Sequence, residues 1–289
     1  PSLRTRASFE AAMLRHGGHA ILLEPGRGVW GMETHHGVVM DGAAAEHLVE
    51  AAAVIGRYAD AVAVRAFPAG DDLEAAFADP VIGGFARHAG VPVINMESAR
   101  RHPCQGLADA MTIEERLGKR PRGGRFVLAW TWHPNPLPTA VPVSAAINAA
   151  RLGMEVTLAH PSGWELHPED MEAIAAVASR NGGSVRVADD LDAAVEGADV
   201  VYAKSWGRLD LFGDADAERA ARAVHRGWRI DGERMGRTRD GRGVFLHCLP
   251  IRRNVVATDE VLDGPWSAVI DQAENRLHVQ RSLLLEVLG

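Results

Sequence analysis

Cysteine is nearly absent: Cys104 and Cys248 are the only two in 289 residues. That excludes a disulfide framework and fits a reducing, cytosolic compartment. No run of about 18 apolar residues occurs, so no membrane span is expected, and nothing resembles a signal peptide. Basic residues are in deficit, with a formal net charge of -7, opposite in sign to the footprint of nucleic-acid binding. An anionic ligand therefore has to be drawn in by a local cluster of arginines. No Gly-x-Gly-x-x-Gly follows any expected strand, which argues against a nucleotide-binding dehydrogenase. The thirteen histidines lack metal-ligand spacing, and neither a metal nor a cofactor is expected. The chain opens at Pro1 with no Met and no strand ahead of an arginine-rich turn. Because such a turn usually follows a strand, the natural N-terminus is expected to be missing.

What is present is a soluble α/β pattern. Apolar residues make up 47% and charged residues 24%, enough for one large domain or two of ordinary size. Short runs rich in Val, Ile and Leu predict strands at 20–23, 61–65, 93–96, 126–131, 155–159, 184–187, 200–204, 244–249 and 268–270. Continuous apolar runs of this kind suit parallel strands buried on both faces. Helical patterns fall at 8–16, 43–55, 106–117, 139–152, 168–180, 191–196 and 274–288. The alternation predicts two doubly wound parallel-sheet domains flanking a cleft. The stretch KRPRGG at 119–124 marks the boundary between residues 1–118 and 119–273, with the helix of 274–289 returning to the first domain. Residues 133–142 (HPNPLPTAVP) carry Pro134, Pro136, Pro138 and Pro142 and predict a stiff, extended loop, a connector or a substrate-facing element.

Three motifs carry chemistry. Ser2-Leu3-Arg4-Thr5-Arg6 runs into the first helical pattern, where unpaired N–H groups and the positive end of the dipole suit phosphate. The hydroxyls of Ser2 and Thr5 and the forked donors of Arg4 and Arg6 strengthen that site. A capped helix with two solvated arginines would read the same way. Arg101-His102-Pro103-Cys104-Gln105 follows the strand at 93–96, at the strand end where open α/β sheets bind ligands. There His102 can donate to an oxygen that gains charge, and Gln105 can bond the amide end of a carbamoyl group. His247-Cys248-Leu249-Pro250-Ile251-Arg252-Arg253-Asn254 closes another strand, with carbonyls that can receive an amine and arginines suited to a carboxylate. No base positions Cys248 as a covalent nucleophile.

In this order and spacing the motifs resemble the aspartate/ornithine carbamoyltransferase family, over essentially the whole chain. The closest likeness is to its branch acting on N-acylated ornithine. The resemblance implies that Ser2, Leu3, Arg4, Thr5 and Arg6 wrap a phosphate, and that Arg65, His102 and Gln105 hold the carbamoyl end. Cys248 and Leu249 would give main-chain contacts near the reacting amine, and Arg276 a further contact to carbamoyl phosphate. Trp30 matches a residue that reaches a neighbouring subunit's site, which implies a homotrimer with shared sites. The proline-rich loop is implied to be threaded, giving a knotted chain. The implied chemistry is direct attack of a neutral δ-amine on the carbamoyl carbonyl, without a covalent intermediate.

Relatives using free ornithine need a carboxylate for the α-ammonium, in a segment ending Ser-Met-Gly. Here Lys204-Ser205-Trp206-Gly207 offers a cation instead, which suits an acylated ornithine that keeps its carboxylate and lacks the ammonium. Glu97 and His133 match residues lining the acyl-substrate pocket, with Arg252 a carboxylate partner. Ala45, Pro138 and Val256 stand where acetyl-specific relatives carry Glu, Asn and a carboxylated Lys, and these favour N-succinyl. The segment at 271–280 (DQAENRLHVQ) leans toward N-acetyl. Free ornithine as acceptor, and a non-catalytic paralogue that binds carbamoyl phosphate, are the alternatives.

Overall fold

In the computed structural model, which describes residues 2–26, 30–67, 70–118 and 121–289, the chain is α/β with parallel sheets. It divides into two units, Pro1–Ala99 with Leu277–Gly289, and Arg100–Arg276.

The first unit runs α1 (Leu3–Arg15), β1 (Met32–Glu33), β2 (Glu46–His47), α2 (Leu48–Ile55), β3 (Val62–Arg65), α3 (Leu73–Phe77), α4 (Pro80–His88) and β4 (Val93–Glu97). β1 pairs with β2 and β3 with β4, both parallel, with a register shift between Val64 and Arg65. A small core of Leu48, Ala52, Val64 and Phe85 sits under the β3–β4 pair.

The second unit contains α5 (Pro103–Leu117), β5 (Arg125–Trp130), α6 (Ala140–Arg151), β6 (Glu155–Ala159), α7 (Pro168–Asn181), β7 (Ser184–Ala188), α8 (Leu191–Val195), β8 (Val200–Lys204), α9 (Ala215–Arg222), α10 (Gly232–Gly236), β9 (Val244–Leu246), α11 (Asp259–Asp263) and the start of α12 (Val269–Leu288). Its five strands form a parallel sheet in the order β7-β6-β5-β8-β9. The central strand β5 explains why its sequence does not alternate. Phe126, Leu128 and Trp130 enter the core shared with α6, while Val127 and Ala129 enter the one shared with α8 and α10. Two-sided burial makes every position from Phe126 onward apolar.

Several expected elements differ. Residues 20–23 form no strand: Ile21, Leu22 and Leu23 are 69%, 58% and 47% exposed. Residues 268–270 are not a strand either, because only Ser267 bridges Phe245 before α12 begins at Val269. β9 ends at Leu246, three residues short of the expected run. The helix expected from residue 43 begins at Leu48, behind a His47 cap and the short strand β2. Those expected from 8 and 106 begin earlier, at Leu3 and Pro103. The short elements β1, β2, α3, α4 and α9–α11 span two to nine residues, too few for a pattern to announce them. Pro142 lies in the first turn of α6, where a missing N–H breaks no helical bond. Lys119 and Arg120 of the KRPRGG stretch lie outside the described residues. No helix among the described residues is long and apolar enough to cross a membrane.

Candidate functional site

In the first unit, the Ser2 side chain caps α1. Its Oγ accepts from Thr5 N–H at 3.3 Å and donates to Thr5 Oγ1 at 2.9 Å. Leu3, Arg4, Thr5 and Arg6 therefore form the first turn of a 13-residue helix with no acidic residue there, an arrangement that favours an anion. Thr5 is buried and Leu3 exposed, and Arg6 pairs with Glu24. Arg65, at the end of β3, is register partner of Glu97 on β4. Its Nε and Nη2 both donate to Glu97 Oε2, at 2.9 and 2.7 Å, and its guanidinium lies 4.9 Å from the Phe67 ring centroid. Trp30 is 71% exposed, and Ala45 is exposed just before β2.

The second unit holds the other two motifs. His102 is the N-cap of α5 with Pro103 in the first helical position. Its backbone N–H donates to Ser144 Oγ on α6 at 2.8 Å. Gly106 makes that approach possible, since a Cβ there would lie 2.2 Å from Asn148 Nδ2. The preceding arginines are anchored too. The buried carboxylate of Asp170, in the first turn of α7, accepts from Arg100 at 2.8 Å and Arg101 at 2.6 Å.

Behind His102 lies a buried polar chain. Gln105 Nε2 donates to Asp109 Oδ1 at 2.8 Å, and Gln272 Nε2 donates to the same oxygen at 2.6 Å. Gln272 Oε1 accepts the backbone N–H of His247 at 2.9 Å. The chain thus connects the start of α5 to the end of β9 through α12. Burial pushes the Asp109 carboxyl up to about 6, against the pull of Gln105, Gln272, Tyr202 and the Arg276 charge. Burial likewise pushes the Cys104 thiol up to about 11, with Arg276 opposing. A neutral, buried Cys104 fills space rather than attacks.

At the end of β9, Leu249 adopts a left-handed φ of 52°, rare for a side chain of its size. Its N–H donates to His247 Nδ1 at 2.9 Å, so the backbone turns sharply at Cys248 and Leu249. Nearby, Arg252 Nε donates to His133 Nε2 at 3.0 Å. A guanidinium can only donate, so Nε2 accepts, and Nδ1 faces the Asn135 backbone, with its O at 2.8 Å and its N at 3.1 Å. Burial lowers the His133 pKa, aided by the charges of Arg252, Lys204 and Arg222, and the ring stays neutral. His133, Lys204 and Arg252 are therefore gathered in one place, and neither Lys204 nor Arg252 has a carboxylate partner among the described residues.

Arg222 holds this loop. Buried with Glu218, which accepts from its Nε at 2.6 Å, it donates from Nη1 to His133 O at 2.9 Å and Asn135 O at 3.0 Å. It also reaches Ser205 Oγ at 3.3 Å and Trp206 O at 3.2 Å. The proline-rich loop and the segment after Lys204 are thereby fixed by one side chain. Gly207 sits tight against that loop: its N–H donates to Leu137 O at 2.9 Å, and a Cβ there would lie 3.0 Å from Pro136.

Two family models match. Residues 1–115 fit the carbamoyl-P binding domain of aspartate/ornithine carbamoyltransferase, and residues 138–287 its Asp/Orn binding domain. This chain belongs to the aspartate/ornithine carbamoyltransferase family. It is a carbamoyltransferase of the N-acylornithine branch. It is 47% identical to the N-acetylornithine carbamoyltransferase of Xanthomonas campestris pv. campestris, over 100% of this chain and 85% of that one. It is 39% identical to the N-succinylornithine carbamoyltransferase of Bacteroides fragilis, over 95% of this chain and 80% of that one. Among solved structures, a glutamate-to-alanine mutant of N-acetyl-L-ornithine transcarbamylase complexed with carbamyl phosphate and N-succinyl-L-norvaline matches at a TM-score of 0.96 and 47% identity. That match covers 99% of this chain and 86% of the other.

Sequence reading of the carbamoyltransferase missed Asp109, Gln272, Ser144, Asp170, Glu218 and Arg222. Spacing could have found some of them, because Gln105 and Asp109, and Glu218 and Arg222, are bonded pairs four apart on a helix. Asp170 has no local signal; it meets Arg101 from 69 residues away.

Proposed function

We propose that this chain transfers the carbamoyl group of carbamoyl phosphate to the δ-amine of an N-acylated L-ornithine, giving N-acylcitrulline and phosphate in arginine biosynthesis. The acceptor is N-succinyl-L-ornithine. The observation that carries this reading is the cluster of Lys204, Arg252 and neutral His133 in the second unit. Such a cluster repels the α-ammonium of free ornithine and welcomes the carboxylate of an acylated one, and a succinyl group adds a second carboxylate. Ala45 supports succinyl as well. It stands where acetyl-specific relatives carry Glu, and a glutamate-to-alanine mutant of such a relative was solved with N-succinyl-L-norvaline. We take the two positions to correspond. A specific observation favours N-acetyl as the second reading, namely the 47% identity to an N-acetylornithine carbamoyltransferase against 39% to the succinyl enzyme.

In this mechanism Ser2, Leu3, Arg4, Thr5 and Arg6 hold the phosphate, and Arg276 adds charge. Arg65, His102 and Gln105 hold the carbamoyl end, and Cys248 and Leu249 present main-chain groups to the amine. The δ-nitrogen forms a bond to the carbamoyl carbon, the oxyanion is stabilised by Arg65, His102 and Thr5, and the C–O bond to phosphate breaks. The leaving phosphate takes the amine proton, so no protein base is required. Residues 1–118 bind the donor, residues 119–273 the acceptor, and 274–289 form the returning helix; the family matches over 1–115 and 138–287 support this division. Glu97 lines the acyl-substrate pocket through its hold on Arg65. The cytoplasmic assembly is a homotrimer in which Trp30 reaches a neighbour's site, and the proline-rich loop is threaded into a knot. Support for these comes from the exposure of Trp30 and from the grip of Arg222 and Gly207 on residues 133–137.

The test is a citrulline-type colour assay with ornithine, N-acetylornithine, N-succinylornithine and aspartate side by side. Activity with N-succinylornithine above the others is expected, and Ala45→Glu should shift the preference toward N-acetylornithine by about tenfold or more. Turnover of free ornithine alone would refute the argument from Lys204. Arg65→Ala and His102→Ala should each lower kcat by about 100-fold or more, the usual cost of an oxyanion donor.

A further inference from the structure

Gln105 is buried, and its amide has two chemically opposite ends. One end is fully specified. Gln272 Oε1 takes the His247 backbone N–H, so Gln272 has to turn its NH2 toward Asp109, and that bond is 2.6 Å. An ionised carboxylate only accepts, so Gln105 also has to offer its NH2 to the same Asp109 oxygen, at 2.8 Å. Reversing the Gln105 amide would set its oxygen against the carboxylate. Among the described residues Gln105 Oε1 has no hydrogen-bond partner. It is therefore a buried acceptor in need of a donor, and an unmet one is costly.

We infer that Asp109 is a positioning residue that fixes Gln105 with Oε1 presented to the carbamoyl NH2. The transferred group is thereby selected for its N–H, against acyl phosphates that lack one. This rests on the carbamoyl-transfer reading above. Carbamoyl and acetyl phosphate share the phosphate, the carbonyl and nearly the same size, and differ in NH2 against CH3. A methyl at Oε1 leaves the buried oxygen unpaired, the situation in which polar sites discriminate most strongly. The groups facing Asp109 are Gln105 on its own helix, Tyr202 on β8, and Gln272 and Arg276 on α12. Of these, the two glutamine amides meet the one oxygen, Oδ1.

The experiment compares carbamoyl phosphate with acetyl phosphate as donors to the preferred acylornithine, in the full chain. It reads amine-dependent phosphate release. With either donor the δ-nitrogen bonds to the acyl carbon, the C–O bond to phosphate breaks, and phosphate leaves with the proton. The quantity measured is the ratio of kcat/KM for the two donors. Asp109→Leu removes the acceptor, and the ratio should fall by about tenfold or more, mainly through loss with carbamoyl phosphate. Asp109→Asn can keep an oxygen at the Oδ1 position and should hold the ratio within about threefold. Asp109→Ala admits water, which donates as well as accepts, and should behave like the leucine variant; it stands in for that variant if leucine is not tolerated. Equal losses with both donors in the leucine or alanine variant, or an unchanged ratio, would overturn the inference, as would collapse of the ratio in Asp109→Asn. If the unaltered chain carbamoylates no acceptor, the function reading fails by itself. Calorimetric binding of carbamoyl against acetyl phosphate to the same variants then reads the role of Asp109 separately.

Discussion

Asp109 concentrates the energetics of the site at one side chain. It is buried in contact with two amides, and its carboxyl, ordinarily near 3.8, is pushed up to about 6 by that burial. A carboxyl raised in the folded state binds its proton more tightly there than in the unfolded chain. The stability this adds is complete below about 3.8 and is lost as pH rises through about 6. The difference corresponds to about 3 kcal/mol at most. Unfolding by urea of the unaltered chain and of Asp109→Asn should therefore show the former losing ground between pH 4 and 6.5, as an approximate window, and a constant difference above about pH 7. A difference that stays flat across the whole range would show that the carboxyl does not titrate in the folded protein. At this scale the sequence displayed the residues proposed to meet ligand, because Ser2, Thr5, His102 and Gln105 stand in short contiguous motifs. It hid those that orient them. Gln272 acts from 163 positions away on Asp109, and no local pattern distinguishes it from any other helical glutamine.

Among the elements, the loop of residues 133–138 depends on a helix that the sequence did not announce. α9 is only eight residues long, four of them alanine, too short a window for its pattern to stand out. Yet its last residue, Arg222, holds two loop carbonyls and the chain at Ser205 and Trp206. Prolines stiffen the loop, but a fixed φ does not decide where it points. Arg222→Ala would strand the buried Glu218 carboxylate and release those carbonyls. Breaking a buried pair in this way costs about 3–5 kcal/mol. The variant should lose that much stability by denaturant unfolding and raise KM for the acylornithine more than KM for carbamoyl phosphate, because His133 rides on the loop. Arg222→Lys should recover little, since an ammonium cannot reproduce the forked contacts. The long strands were legible for a different reason: β5, β6 and β8 are buried on both faces over most of their length, and their sequences are mainly apolar. Residues 20–23 show the limit of that signal, because an equally apolar run lies exposed and outside the named strands.

Across the whole molecule the two units are unequally supported. The second has a five-stranded sheet with a core on each face. Among the described residues, the first shows two two-stranded pairs, with a cluster of Leu48, Ala52, Val64 and Phe85 packed beside one of them. Isolated strand pairs are marginal in water. Amide hydrogen exchange should therefore be slowest in β5 and β8 and markedly faster in β3 and β4, and saturation with carbamoyl phosphate should slow exchange at α1. Equal protection of both sheets would contradict this account. The tie between Asp109 and Gln272 has a further meaning in time. It spans 163 residues, and at ribosomal speeds of about 5–20 residues per second α5 emerges some ten to thirty seconds before its partner exists. During that interval a nascent chain carries a carboxylate destined for burial with half of its amide partners still unmade. Synthesis itself thus defers completion of the site until the last helix has been read.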